Sequence, residues 1–172
     1  DSNEIKLIGD RLFLDLPEGL MNIGNKTLKM YAYILENFTF DYIFRTNSSS
    51  YVNIEKLKEF IIDKPKEKYY CGGEGNYIGI PFASGSGYFL SRDMVEFVLD
   101  HRNEWDHTLI DDVSLGKLLH NKGIKIMTAK RFDFINGLHI DLSHYHYRVK
   151  NVGNRMVDSE RMKLLHQKIN EI

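Results

Sequence analysis

The feature that most constrains this chain is the repeated alternation of short apolar runs with stretches of helical periodicity. Residues 11–16 alternate in part between apolar and polar and read as a strand or extended segment. Across residues 26–37, Leu28, Tyr31, Ile34 and Leu35 recur at three- and four-residue spacing, which predicts an amphipathic helix. Residues 41–46 are aromatic and β-branched, as a buried strand requires, and Asn47-Ser48-Ser49-Ser50 breaks that strand with residues that favour turns. A helix over 54–62 ends ahead of Pro65. The glycine-rich run 72–79 reads as a loop or hairpin turn, and Tyr88-Phe89-Leu90 as a strand. Ser91 is placed to cap a helix carrying Met94, Val95, Phe97 and Val98. Further helices are expected over 111–122, closing at Gly123, and from Asp158 with Met162, Leu165 and Ile169 inward; a strand over 124–127 lies between. Such alternation builds an α/β sheet with helices on its faces. Ligands of such sheets sit beyond the carboxyl ends of the strands, where both Asn47–Ser50 and Asp111-Asp112 fall.

At 172 residues, with no repeats and only short linkers, the expectation is one domain over 1–172. Lys and Arg total 23 against 24 acidic residues, so no global field draws the chain to nucleic acid or to anionic lipid. No segment is long and apolar enough to span a bilayer, and no signal peptide is visible. A single cysteine, Cys71, excludes an internal disulfide framework and favours a cytoplasmic or membrane-peripheral setting over secretion. Because the chain opens on Asp1 rather than Met, it reads as a piece of a longer protein.

Chemistry concentrates in a few places. Asp111 and Asp112 open a predicted helix, where carboxylates complement the helix dipole and cap free N–H groups. The functional alternative is that one caps while the other faces a cleft as a general base. Ser84-Gly85-Ser86-Gly87 reads either as a tight turn or as a backbone platform that lets a ligand approach closely. His144 and His146, two apart, would share one face of a strand and could offer a metal two ligands; a pair of surface histidines among tyrosines is the plainer reading. Arg45, at the end of a strand, could pair with phosphate or form a salt bridge at the sheet edge. Cys71 has no base nearby in sequence and reads as a plain loop or strand residue. Dinucleotide, P-loop, HExxH and paired CxxC motifs are absent from the sequence.

Four segments, in order, resemble the β-1,3-glycosyltransferases (glycosyltransferase family 31), which include β-1,3-galactosyl- and N-acetylglucosaminyltransferases and the Fringe enzymes. Gly9-Asp10 with Leu12, Asp15, Asn22 and Lys26-Thr27 resembles the family's approach segment. Residues 42–53 resemble its aspartate-rich strand end, Pro81 to Ser91 its Ser-Gly-Gly-Tyr and Leu-Ser segment, and Asp111-Asp112-Val113 with Gly116 its Glu-Asp-Val-x-x-Gly block. The resemblance implies an α/β fold of GT-A type, with a mixed sheet flanked by helices. It also implies a UDP-sugar or other nucleotide-sugar donor, a glycan acceptor, and inverting transfer with Asp112 as the base and Asp111 as its capping neighbour. Arg45, Asn47, Ser48 and Ser49 would contact the donor, and Ser84, Gly85, Ser86 and Gly87 would form the sugar platform. A late histidine would reach the metal, with His144 and His146 as candidates.

Two departures stand out. Asn47, Ser48 and Ser49 replace three acids, and neutral oxygens are poor ligands for Mn²⁺ or Mg²⁺. The donor's diphosphate charge would then be offset by Arg45, His146 or Arg148. The family's usual first, nucleotide-binding strand, upstream of Gly9, is also not found in this sequence. The leading expectation is therefore a glycosyltransferase, and the alternative an inactive sugar- or nucleotide-binding relative serving as a recognition or scaffold module.

Overall fold

A computed structural model describes residues 5–134 and 139–171. In chain order its elements are β1 (Ile5–Ile8), β2 (Arg11–Leu14), α1 (Ile23–Asn37), β3 (Tyr42–Thr46), β4 (Ser50–Val52) and α2 (Ile54–Ile61). They continue as β5 (Tyr70–Tyr77), β6 (Ile80–Ser91), α3 (Arg92–Asp100), α4 (Asp111–Asn121), β7 (Met127–Thr128), β8 (Phe132–Asp133), β9 (His146–Arg148) and α5 (Met156–Asn170). The architecture is mixed α/β, with mixed sheets flanked by helices, consistent with a GT-A-like fold.

The long β5–β6 hairpin frames the molecule. It forms the middle of a sheet ordered β3-β6-β5-β7, in which β3 and β5 run antiparallel to β6 and β7 runs parallel to β5. Ile78 and Gly79 close the hairpin with φ of 49° and 83°, the two positive values of a type I′ turn. Asn76 Oδ1 accepts the Gly79 N–H at 3.0 Å and holds that turn. The glycine-rich run 72–79, expected to be a loop or a hairpin turn, thus ends in that turn but is mostly strand. Its residues carry little β propensity of their own, but the ladder to β6 supplies the hydrogen bonds.

Side-chain alternation divides the core across this sheet. Tyr88 and Leu90 of β6 and Tyr70 of β5 face α1, α3 and α4, where they pack with Tyr31, Val95, Val98, Leu115 and Leu119. Phe89 and Cys71 face the other way, joining Tyr69, Ala129 and Tyr145 under Phe60 and Leu57 of α2. A smaller sheet, ordered β4-β9-β8, packs Tyr147 and Val149 against Leu165 of α5, with Met162 and Ile169 alongside. The inward stripe read from the sequence of α5 is the one that packs. Two local expectations differ in detail. Residues 124–127 contribute only Met127 to a strand. Ser91 precedes α3 without capping it: its Oγ donates to Asp93 Oδ1 at 2.5 Å and accepts the Tyr69 N–H at 2.9 Å.

Candidate active site

The site begins with an irregularity in β6. Against β5, Gly72 pairs with Tyr88 but Glu74 pairs with Ala83, so residues 84–87 stand opposite Gly73 alone. The Ser84–Gly87 segment, open in the sequence to reading as a tight turn, is therefore a bulge inside a strand. Extra residues on one strand of a pair bend it and re-aim its backbone. Gly87 still pairs with Thr46 of β3, which pins the bulge to the end of that strand.

Beside the bulge lies a closed arrangement of charge. Asp112 Oδ2 accepts the Gly85 N–H at 2.6 Å, and its Oδ1 accepts the Val113 N–H at 3.0 Å. Arg45 donates to the Gly85 carbonyl and, at 2.5 Å, to Asp111 Oδ2. Thr27 Oγ1 also reaches that Asp111 oxygen, at 3.4 Å, and the Arg45 guanidinium lies 5.7 Å from the Tyr88 ring centroid. Behind it, the buried Tyr31 and Tyr88 hydroxyls pair at 2.7 Å. Only glycine fits at position 85: a Cβ there would overlap the Arg45 guanidinium and stand 3.0 Å from Asp112 Oδ2.

Burial works against charge on Arg45, but Tyr88 and Asp111 outweigh it and the guanidinium is held above its ordinary value. Burial raises the Asp111 carboxyl, Arg45 pulls it down, and Asp112 adds to the rise. The net result is a carboxyl held above its ordinary value, chiefly by burial, with the Arg45 guanidinium opposing the rise. Neither aspartate caps α4 in the expected manner. The N-cap is Ile110, whose side chain bonds no helix N–H, and the only first-turn donor that either aspartate takes is Val113 N–H, held by Asp112 Oδ1. Tertiary partners take the carboxylates instead: Arg45 and Thr27 for Asp111, and the Gly85 backbone for Asp112.

On the other side of the bulge is the Asn47–Ser50 loop. Asn47 Oδ1 accepts the Ser49 N–H at 3.0 Å and lies 3.3 Å from Ser50 Oγ, an Asx turn that sets the loop. Thr46 Oγ1 and Ser50 Oγ both donate to the Ser86 carbonyl, at 2.6 and 2.8 Å. His146 Nε2 lies 3.2 Å from Ser50 Oγ. Burial first, then Arg131, lowers the His146 pKa to about 4, so the ring is neutral at physiological pH. A Cβ at Gly87 would enter this imidazole, which explains the second glycine of the bulge.

Among the sequence candidates, the fold thus gathers Arg45, Gly85, Asp111 and Asp112 in one group. Asn47, Ser49, Ser86, Gly87 and His146 form a second. Ser84 Oγ reaches Ser86 Oγ at 3.2 Å, and Ser48 is exposed on the loop. His144 stands apart from His146, its ring against Phe132 and Tyr147, where it lines a cavity of about 570 Å³ with Lys56, Phe60, Lys130 and Tyr145. That cavity is remote from both aspartates. A smaller one, about 180 Å³, is lined by Tyr77, Thr108, Leu109, Ile110 and Val113 and adjoins the start of α4. Cys71 is buried in β5, and burial pushes its thiol up, which leaves it inert at neutral pH.

Two residues at the loop were not signalled by the sequence. Arg131 donates to Ser86 Oγ at 2.8 Å, and Arg155 donates to Ser49 Oγ at 2.5 Å. Both come from segments with no motif, and only folding brings them here.

Residues 64–130 match the galactosyltransferase family model, a stretch that runs through the bulge and both aspartates. The human UDP-GalNAc:beta-1,3-N-acetylgalactosaminyltransferase 2 is 24% identical over 132 residues, 66% of this chain and 26% of its own length. Its mouse and Xenopus tropicalis counterparts are each 25% identical over 126 residues, 62% of this chain. The chain spans about a quarter of the length of these curated relatives. These matches support a member of the β-1,3-glycosyltransferase family.

Proposed function

We propose that this glycosyltransferase relative moves a sugar from a nucleotide-sugar donor to a hydroxyl of a glycan acceptor, with inversion at the transferred carbon. Kinship supports a UDP-sugar, since the names of the relatives specify UDP-GalNAc as their donor. The observation that carries the reading is the convergence of Asp112, Gly85, Arg45 and Asp111, residues from three separate motifs, around one bulge. Two backbone N–H groups fix the Asp112 carboxylate in place, and each oxygen keeps a further lone pair for an acceptor hydroxyl. In the proposed step the acceptor oxygen bonds to the anomeric carbon from the face opposite the leaving group. Its proton passes to Asp112, and the carbon–phosphate oxygen bond breaks, with its electron pair leaving on the nucleoside diphosphate. Asp111 acts indirectly, by holding Arg45 against the Gly85 carbonyl and so fixing the backbone that Asp112 grips.

The experiment is donor and glycan turnover by Asp112→Asn, with its thermal melt as a control for folding. Transfer by the native chain that falls at least about a hundredfold in the variant supports the reading. Near-native turnover in a folded variant overturns it. The second reading, an inactive donor-binding relative, is favoured by the missing acids at residues 47–49. Nucleotide binding without turnover by the native chain would establish it.

A further inference from the structure

The family's divalent cation does not fit the residues that stand at its place. Asn47, Ser48 and Ser49 offer no charge, and Asn47 Oδ1 is already engaged by the Ser49 N–H. Ser49 Oγ accepts from Arg155, and the neutral His146 ring sits on Ser50. Among the described residues, no three His, Cys, Asp or Glu side chains gather to hold an ion. Hard cations need carboxylate or phosphate charge around them, and this loop has none to give.

What the loop has instead is arginine. The β4–β9 register sets Arg148 directly opposite Ser50, one residue beyond the missing acids. Arg131 crosses Gly73 to reach Ser86 Oγ, and Arg155, at the start of α5, reaches Ser49 Oγ. Two carboxylates accompany the three guanidiniums. Asp133 bonds Arg131 Nε at 3.1 Å and Arg148 Nη1 at 3.4 Å, and Asp158 bonds Arg155 Nε at 2.8 Å. These carboxylates hold the stems and leave a positive excess. The Arg155 and Arg148 side chains are 54% and 36% exposed, so both can turn donors outward. Guanidinium forks match phosphate oxygens in pairs, and this is the geometry in which arginine surpasses a point charge.

Resting on the transferase reading above, we propose that Arg131, Arg148 and Arg155 form a metal-independent site for the diphosphate of the nucleotide donor. The three side chains take over the charge neutralisation that the Asn47–Ser49 loop cannot obtain from a cation. The polar loop itself lets the diphosphate lie close without repulsion from acids.

The test is calorimetric binding of UDP to the native chain in excess EDTA and again with Mn²⁺, with uridine as the phosphate-free control. The expected result is the same affinity in EDTA and in Mn²⁺, falling as salt rises. Arg148→Gln and Arg155→Gln should each weaken UDP about tenfold or more, while Arg148→Lys loses less. Inorganic pyrophosphate should compete. UDP binding that requires Mn²⁺, or that survives the double glutamine variant in a chain with a native melt, overturns the arginine site and leaves the transferase reading standing. Near-native transfer in a folded Asp112→Asn with unchanged UDP binding separates the two in the other direction, overturning the Asp112 reading and leaving the arginine site standing. No UDP binding under either condition overturns both.

Discussion

The two sides of the Ser84–Gly87 bulge handle charge in opposite ways. On one side Arg45 and Asp111 form a nearly buried pair, 18% and 7% exposed, and Asp112 takes its bonds from backbone. Charge there is matched within the protein, and little motion is left to it. On the other side three arginines share two carboxylates, and Arg148 and Arg155 keep partly exposed side chains beside neutral oxygens. A group that must act as a base on a bound hydroxyl benefits from being fixed in advance. A group that must receive a doubly charged leaving group benefits from an unfilled demand for anions. The difference teaches that one fold can hold a rigid half-site and an expectant half-site a few residues apart.

The largest effect should come from breaking the matched side. Asp111→Ala strands Arg45 in a site that is mostly desolvated, at a cost of about 3–5 kcal/mol. Urea unfolding would read this, and a loss under about 1 kcal/mol would mean that the pair is far better hydrated than its burial indicates. Removing Arg155 by comparison should change stability little, because its side chain is half exposed.

The next effect is a pH dependence that belongs to the loop side. His146 has its pKa depressed from 6.5 to about 4, so the unfolded chain takes up a proton before the folded one does. Its contribution is fully present above about 6.5 and is lost as pH falls through about 4, on the order of 3 kcal/mol over that window. Melts from pH 7 to pH 4 should fall more steeply in the native chain than in His146→Gln. Parallel curves would remove His146 from the account. The raised Asp111 carboxyl acts with the opposite sign, since protonation there favours the folded state as pH falls through its raised value.

Smaller in stability, but decisive for geometry, is Gly85→Ala. Its Cβ would displace the Arg45 guanidinium and press on Asp112, costing about 1–3 kcal/mol. Because it moves the proposed base, transfer should fall much further than stability does. A variant that keeps full turnover would show that the bulge can relax. The smallest effect is expected at the exposed Ser48, where Ser48→Ala should stay within about 0.5 kcal/mol in urea unfolding.

Much of the fold was legible. The helical stripes of α1, α3 and α5 pack as their spacing requires, because a helix inherits its buried face from periodicity alone. The glycine run at 72–77 was not, since its strand character comes from pairing with β6 and leaves no mark in its own composition. At the candidate site, Asp111 and Asp112 could be picked out by their place at a helix start, but their partners could not. Arg45 lies 66 positions from Asp111, and Arg155 lies 106 from Ser49. Arg131, from a stretch with no motif, carried no sequence signal at all.

By itself the sequence determined the α/β class, the order of the four family-like segments and the absence of acids at Asn47, Ser48 and Ser49. Those are properties of local pattern and residue chemistry, and no neighbour can alter them. The tertiary structure alone decided that Ser84–Gly87 is a bulge rather than a turn, and that Asp111 serves Arg45 rather than its helix. It also decided which guanidiniums lie beside the Asn47–Ser50 loop. Charge compensation acts through space, over a few ångströms, between residues that the chain keeps far apart until it folds.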